Sequence, residues 1–238
     1  MATSTVVVIA GVLVVGATVQ SLVGLGLGLF SAPLVTLLEP DLMPQLLLVL
    51  AALLPLVTLW ESHDEIDWPG LAWVLPARVP GTAVGVLLLG WFSERALGLA
   101  VAVMVLLAVA VTVRALAVPQ GRAALAVSGF VSGMTGTTTS IGGPPVALLY
   151  QHRPPPQIRS TLAVFFAAGA LLSLVGIAVS GGLDLDTVLL GLVLTPTLLV
   201  GTWLGVRLRG VLPEGGTRYA VLVLCGGSAL VLLVRSLT

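Results

Sequence analysis

The chain keeps its carboxylates out of its apolar runs. All ten carboxylates (Glu39, Asp41, Glu61, Asp64, Glu65, Asp67, Glu94, Asp184, Asp186 and Glu214) lie between eight stretches: Thr5–Leu38, Pro44–Trp60, Trp68–Phe92, Ala96–Val118, Ala123–Tyr150, Ile158–Ser180, Thr187–Val206 and Thr217–Leu237. A hydrocarbon core about 30 Å thick is crossed by a helix of roughly 20 apolar residues, so these stretches read as membrane segments. Of 238 residues 58% are hydrophobic and 8% charged, against about a quarter charged in a soluble domain. The lipid bilayer is the expected solvent, and the short gaps leave room for one membrane domain over residues 1–238.

Several function classes fall away on composition. Formal charge is zero and every basic residue is Arg, so neither a nucleic-acid patch nor a polybasic membrane-surface segment is indicated. The first twenty residues lack a basic start and a cleavage signal, which predicts a retained membrane element. Cys225 stands alone, which excludes an internal disulfide. His63 with Asp64, Glu65 and Asp67 has metal-ligand residue types, but one histidine in a short loop reads as a solvated turn. No catalytic triad, HExxH or CxxC occurs. A non-enzymatic protein without cofactor or metal is expected, and with no carboxylate inside a run, a buried proton relay is not.

The first and fifth runs are irregular. Continuous helix over Thr5–Leu38 would reach about 51 Å, too long for one upright crossing and too short for two. An offset of 112 residues superposes Gly24 on Gly136, Pro33 on Pro145 and Pro44-Gln45 on Pro156-Gln157. After an eight-residue insertion, Pro76 meets Pro196, Gly81-Thr82 meets Gly201-Thr202 and Glu94 meets Glu214. The sequence therefore predicts an all-α polytopic membrane protein of two homologous halves, residues 5–118 and 123–237, with four hydrophobic segments each. Secondary transporters are often duplicated in this way, with the site at the repeat interface. If the first and fifth segments are re-entrant, Arg114, Arg122, Arg153, Arg159, Arg207, Arg209 and Arg218 share one side against Arg95 and Arg235. Eight full crossings split the arginines six to three, so the positive-inside rule favours inverted halves with both termini outside. A tilted, kinked crossing is the alternative.

The broken segments hold the candidate chemistry. The first offers Gln20, Ser21, Gly24, Gly26, Gly28 and Ser31; the second Gly136, Thr137, Thr138, Thr139, Ser140, Gly142 and Gly143. Non-helical backbone at membrane depth survives only where protein buries it or water reaches it. Hydroxyls and free amides at the start of a half-helix are uncharged donors suited to an anion, weighted here toward the Thr137–Ser140 run. The competing reading is tight packing through small residues, with hydroxyls bonded to their own helix. Arg78 lies ten residues into the third run between Pro76 and Pro80; an intramembrane charge marks a functional site by default, and the alternative is an arginine capped by carbonyls that those prolines free or one snorkelling to an interface. Thr82 and Thr202 are further candidate lining residues.

These residues resemble a known family. Gly24-Leu25-Gly26-Leu27-Gly28 with Pro33, Gly129 to Pro145 with its Ile141-Gly142-Gly143-Pro144-Pro145 core, and Arg159 to Phe166 are similar to the TauE/SafE sulfite-exporter-like permeases, also called the four-toluene-sulfonate uptake permeases. The usual denser GGG cluster is spread here to GLGLG, and small, hydroxylated residues after the first Pro-Gln are replaced by Leu46 to Leu54. The resemblance implies transport of a small sulfur-containing or organic anion such as sulfite, sulfoacetate or a sulfonate across a bacterial inner membrane; export is the expected direction, and a second copy in a homodimer is an expected partner. An anion channel and a non-transporting structural or assembly subunit are the alternatives.

Overall fold

The structure, a computed structural model, describes residues 3–24, 26–61, 65–114, 121–208, 211 and 214–237. Among these, all regular structure is helical: α1 (Thr3–Val23), α2 (Leu27–Leu38), a 3-10 turn (Pro40–Leu42), α3 (Gln45–Glu61), α4 (Trp68–Leu89) and α5 (Glu94–Arg114), then α6 (Arg122–Thr139), α7 (Gly143–Tyr150), α8 (Pro155–Val179), α9 (Leu185–Val193), α10 (Thr195–Leu208) and α11 (Glu214–Leu237). Val118, His63 and Asp64 lie outside the described residues.

Both irregular runs break where the sequence says they should. Gly24 takes φ 83° after α1, a conformation L side chains avoid. In the other half the left-handed residue is Ser140, at φ 61°, whose N–H donates to the Gly136 carbonyl and whose hydroxyl donates to the Pro44 carbonyl at 2.9 Å. Pro144 and Pro145 then open α7, where a missing N–H costs nothing. After each break the chain folds back. The Ser31 hydroxyl of α2 reaches the Val12 carbonyl of α1 at 3.5 Å, and a Cβ on Gly16 would strike Ser31 and approach Leu27. In the second half Leu125 shares a buried cluster with Val146, Leu149 and Tyr150. Each first segment is thus a helical hairpin.

Proline acts differently in the two runs that the offset superposes. Pro76 and Pro80 sit inside an unbroken α4, whereas the run expected as one segment over Thr187–Val206 divides before Pro196 into α9 and α10. There the Thr197 N–H turns to the Leu194 carbonyl at 3.0 Å, a tightened 3-10 bond at the joint.

Four helix pairs dominate the packing: α4 with α6, α1 with α10, α3 with α8 and α5 with α11. α4 and α6 run parallel with backbones in contact, because a Cβ at Gly81 would collide with the Phe130 carbonyl and one at Gly129 with the Val74 carbonyl. Small residues permit this approach where lipid removes the hydrophobic drive between helices. α1 and α10 repeat the arrangement, with Gly201 against Val14 and Thr18 and Gly205 against Ser21. α3 and α8 run antiparallel: Gln45 donates to the Gly182 carbonyl and accepts from the Asp184 N–H, while Asp67 beyond the other end of α3 meets Thr161 near the start of α8. α5 and α11 are also antiparallel, since Arg95 at the start of one donates to Ser236 and Leu237 carbonyls at the end of the other.

The polarity is inside out. Ser31, Arg78, Thr82, Ser132, Thr137 and Ser173 are buried, while Leu87, Trp91, Val179 and Val193 are exposed. Six helical spans among the described residues are long and apolar enough to cross a membrane: Thr3–Leu22, Trp68–Leu89, Glu94–Val113, Pro156–Val179, Leu185–Leu208 and Tyr219–Leu237. Pro44–Trp60, expected as an ordinary span, becomes α3, whose described apolar part, Gln45–Leu56, is shorter. Exposed Trp68 opens α4 and exposed Trp91 stands two residues beyond its end; the 22-residue helix between them is about 33 Å long at 1.5 Å per residue, the span that aromatic belts bracket around a hydrocarbon core.

Candidate functional site

The two breaks meet. Gly28 at the start of α2 packs on Ser140 after α6, so closely that a Cβ would lie 2.8 Å from the Ser140 carbonyl oxygen. Beside this contact is a cavity of about 70 Å³, walled by both breaks, α3, α4 and α8, with Gln20, Gly26, Gly28, Arg78, Gly136, Ser140, Gly142 and Gly143 among its lining residues. These are eight of the residues expected from sequence, drawn from three separate segments.

Arg78 reaches the cavity from about 15 Å along α4 and is 3% exposed. Nη1 donates to the Ser132 hydroxyl at 3.1 Å, and the guanidinium carbon stands 4.6 Å from the centre of the Phe165 ring, a cation–π contact strengthened by desolvation. Nε has no partner. No carboxylate compensates the charge among the described residues, and neither proline-freed carbonyls nor snorkelling accounts for the side chain. The Ser132 hydroxyl passes the link on by donating to the Gly142 carbonyl, tying the cation to the first turn of α7. Gly169 on α8 leaves the slot in which the guanidinium lies, since a Cβ there would collide with it.

Gln20 has a role its residue type did not announce. Its Oε1 accepts from the Gly26 and Leu27 N–H groups at 2.6 and 3.1 Å, capping α2 and occupying the amides expected to face a ligand. At α7, Gly142 and Gly143 remain in the cavity wall without a side-chain cap.

The hydroxyl run is placed otherwise. Thr137 pairs with Ser173 at 2.8 Å, Thr138 bonds the Met134 and Thr135 carbonyls, and Thr139 bonds the Thr135 carbonyl while accepting from the Ile141 N–H. These hydroxyls serve their own helix and α8; only Ser140 of the run lines the cavity. Ser21 bonds the Thr202 carbonyl, Ser31 bonds Val12, and Gly24 turns the chain; none of the three lines the cavity. Thr82 and Thr202 have buried hydroxyls without partners but stand outside it. Sequence reading did not single out Ser132, Phe165 and Gly169 as site residues. Their signal was present as a serine within the second broken segment, an aromatic pair and a glycine in mid-run.

A buried cation between broken hairpins, inside a shell of membrane-length helices, defines a multi-pass membrane protein with a polar site at membrane depth, the architecture of a solute transporter. The chain belongs to the sulfite exporter TauE/SafE family, a family of bacterial membrane transporters, whose model matches residues 8–232. It is 27% identical over 231 residues, 90% of this chain and 89% of its relative, to the probable sulfite/organosulfonate exporter TauE of Cupriavidus necator. No solved structure matches.

Proposed function

We propose that this chain is a secondary transporter that exports a small sulfur-containing or organic anion, of the sulfite, sulfoacetate or sulfonate class, from the bacterial cell. The observation that carries this reading is Arg78: a buried cation with an unpartnered Nε and, among the described residues, no carboxylate beside it, facing a cavity between two helix breaks. Such a charge calls for a counter-ion, and a transported anion supplies it. Anion exit from a negative interior gains about 2.3 kcal/mol per charge per 100 mV, so no coupling ion is required.

The proposed architecture is a single transporter domain of inverted repeats, 5–118 and 123–237, with the first and fifth segments as re-entrant hairpins. The fold-back of both hairpins supports it. So does the antiparallel packing of the equivalent helices α3 with α8 and α5 with α11, as an axis lying in the membrane plane requires and one along the normal forbids. A cavity sized for one small ligand favours a carrier over a channel.

The test is flux of labelled sulfite and ethanesulfonate from proteoliposomes. Arg78→Ala is expected to abolish it, and wild-type flux in that variant refutes the site. Tags reporting a cytoplasmic location for both termini refute the outward-facing arrangement.

A further inference from the structure

We infer that the cavity selects a singly charged anion carrying a short apolar tail and discriminates against doubly charged anions. This rests on the transport reading above and narrows it from a charge count. Among the described residues, Arg78 is the one charged residue in the cavity wall. The position equivalent to it in the second half is Leu198, 1% exposed, so the duplication that doubled the helices did not double the cation. The other polar groups there, the Gln20 side chain and the backbone at Gly142 and Gly143, are neutral. One negative charge is matched. A second, buried with neutral donors alone, keeps most of its desolvation cost.

The remaining wall identifies the rest of the ligand. Leu27, Leu29, Leu48, Leu54, Ile141 and Phe166 line it, and a bare inorganic oxyanion leaves this surface uncovered. At roughly 10–15 Å³ per water-sized site, a cavity of about 70 Å³ takes a sulfonate or carboxylate head and about one to three carbons. Such a ligand sets its head on Arg78 and its tail on the leucines.

Calorimetric titration of the purified full-length protein with methane-, ethane- and propanesulfonate, sulfoacetate and ethane-1,2-disulfonate tests this. Affinity is expected to rise about fourfold per added methylene, the equivalent of ~0.8 kcal/mol each, and both dianions are expected to bind at least about tenfold more weakly than ethanesulfonate. Leu48→Ser is expected to flatten the chain-length series. Dianions binding as tightly as ethanesulfonate, or affinity indifferent to tail length, overturns the selectivity while leaving the transport reading intact. No binding of any of these anions overturns both.

Discussion

Gly169 offers a test of the site that needs no substrate. Introducing a methyl group by Gly169→Ala drives it into the Arg78 guanidinium, and the arginine cannot give way cheaply. Moving it breaks the 3.1 Å bond to Ser132, worth about 1.5–3 kcal/mol for a charged donor, and the contact with Phe165, worth about 2 kcal/mol when desolvated. Overpacking costs about 1–3 kcal/mol where a core resists, and that range is the expected loss of stability. Removing the arginine removes the collision, so in an Arg78→Ala background the same methyl group enters vacated space and is expected to be neutral or mildly stabilising. Thermal or denaturant unfolding of wild type, both single variants and the double variant in detergent gives the coupling energy, expected at about 1–3 kcal/mol. An equal penalty for Gly169→Ala in both backgrounds refutes the placement of Arg78 against α8.

Three further outcomes follow from the geometry. Ser132→Ala severs the link from Arg78 to the Gly142 carbonyl and is expected to weaken anion binding by about tenfold or more, the equivalent of the 1.5–3 kcal/mol of a charged hydrogen bond, read by titration calorimetry. Thr138→Val loses only bonds to its own helix, so flux is expected to stay within about twofold of wild type, a difference near 0.4 kcal/mol. Asp184 caps α9, and the hydrogen bond from Thr187, ahead of the backbone bonds it also accepts, holds its carboxyl below the ordinary value. A depressed folded-state pKa gives stability that is present above the unfolded value and lost as pH falls through the folded one. Unfolding across the acidic range is expected to show this loss, and Asp184→Asn to flatten that part of the profile.

The parts of the fold that were legible rest on residues with few alternatives. Gly24 and the Gly-Gly-Pro-Pro run mark breaks because few other sequences turn there, and Arg78 marks a site because an unpaired charge at membrane depth needs a reason. The hydroxyl run was less legible: a helical threonine can face a ligand or bond the carbonyl one turn back, and composition does not choose. Thr138 and Thr139 bond back, and Thr137 spends its hydroxyl on Ser173, a residue remote in sequence. Gln20 read as a site residue and does line the cavity, yet its side-chain carbonyl also caps α2 because the break returns Gly26 and Leu27 beneath it. Gly169 showed only as a glycine in mid-run, which did not mark it as part of the site, since its role is the space it leaves for a side chain on another helix. Pro76 and Pro196 show the same limit, because prolines that the sequence offset superposes leave one helix continuous and fall where the other divides.

The tryptophans at both ends of α4 have a consequence for work in different lipids. Anchors at the two headgroup layers hold the helix in register with the bilayer, and Arg78 rides near the middle of that span. A thinner host membrane is then met by tilting and a thicker one by local compression of the lipid, each at a fraction of a kcal/mol per Å of mismatch, rather than by sliding the arginine toward one surface. Lipid thickness becomes a dial on helix orientation, and its effect on turnover can be measured without altering a single residue.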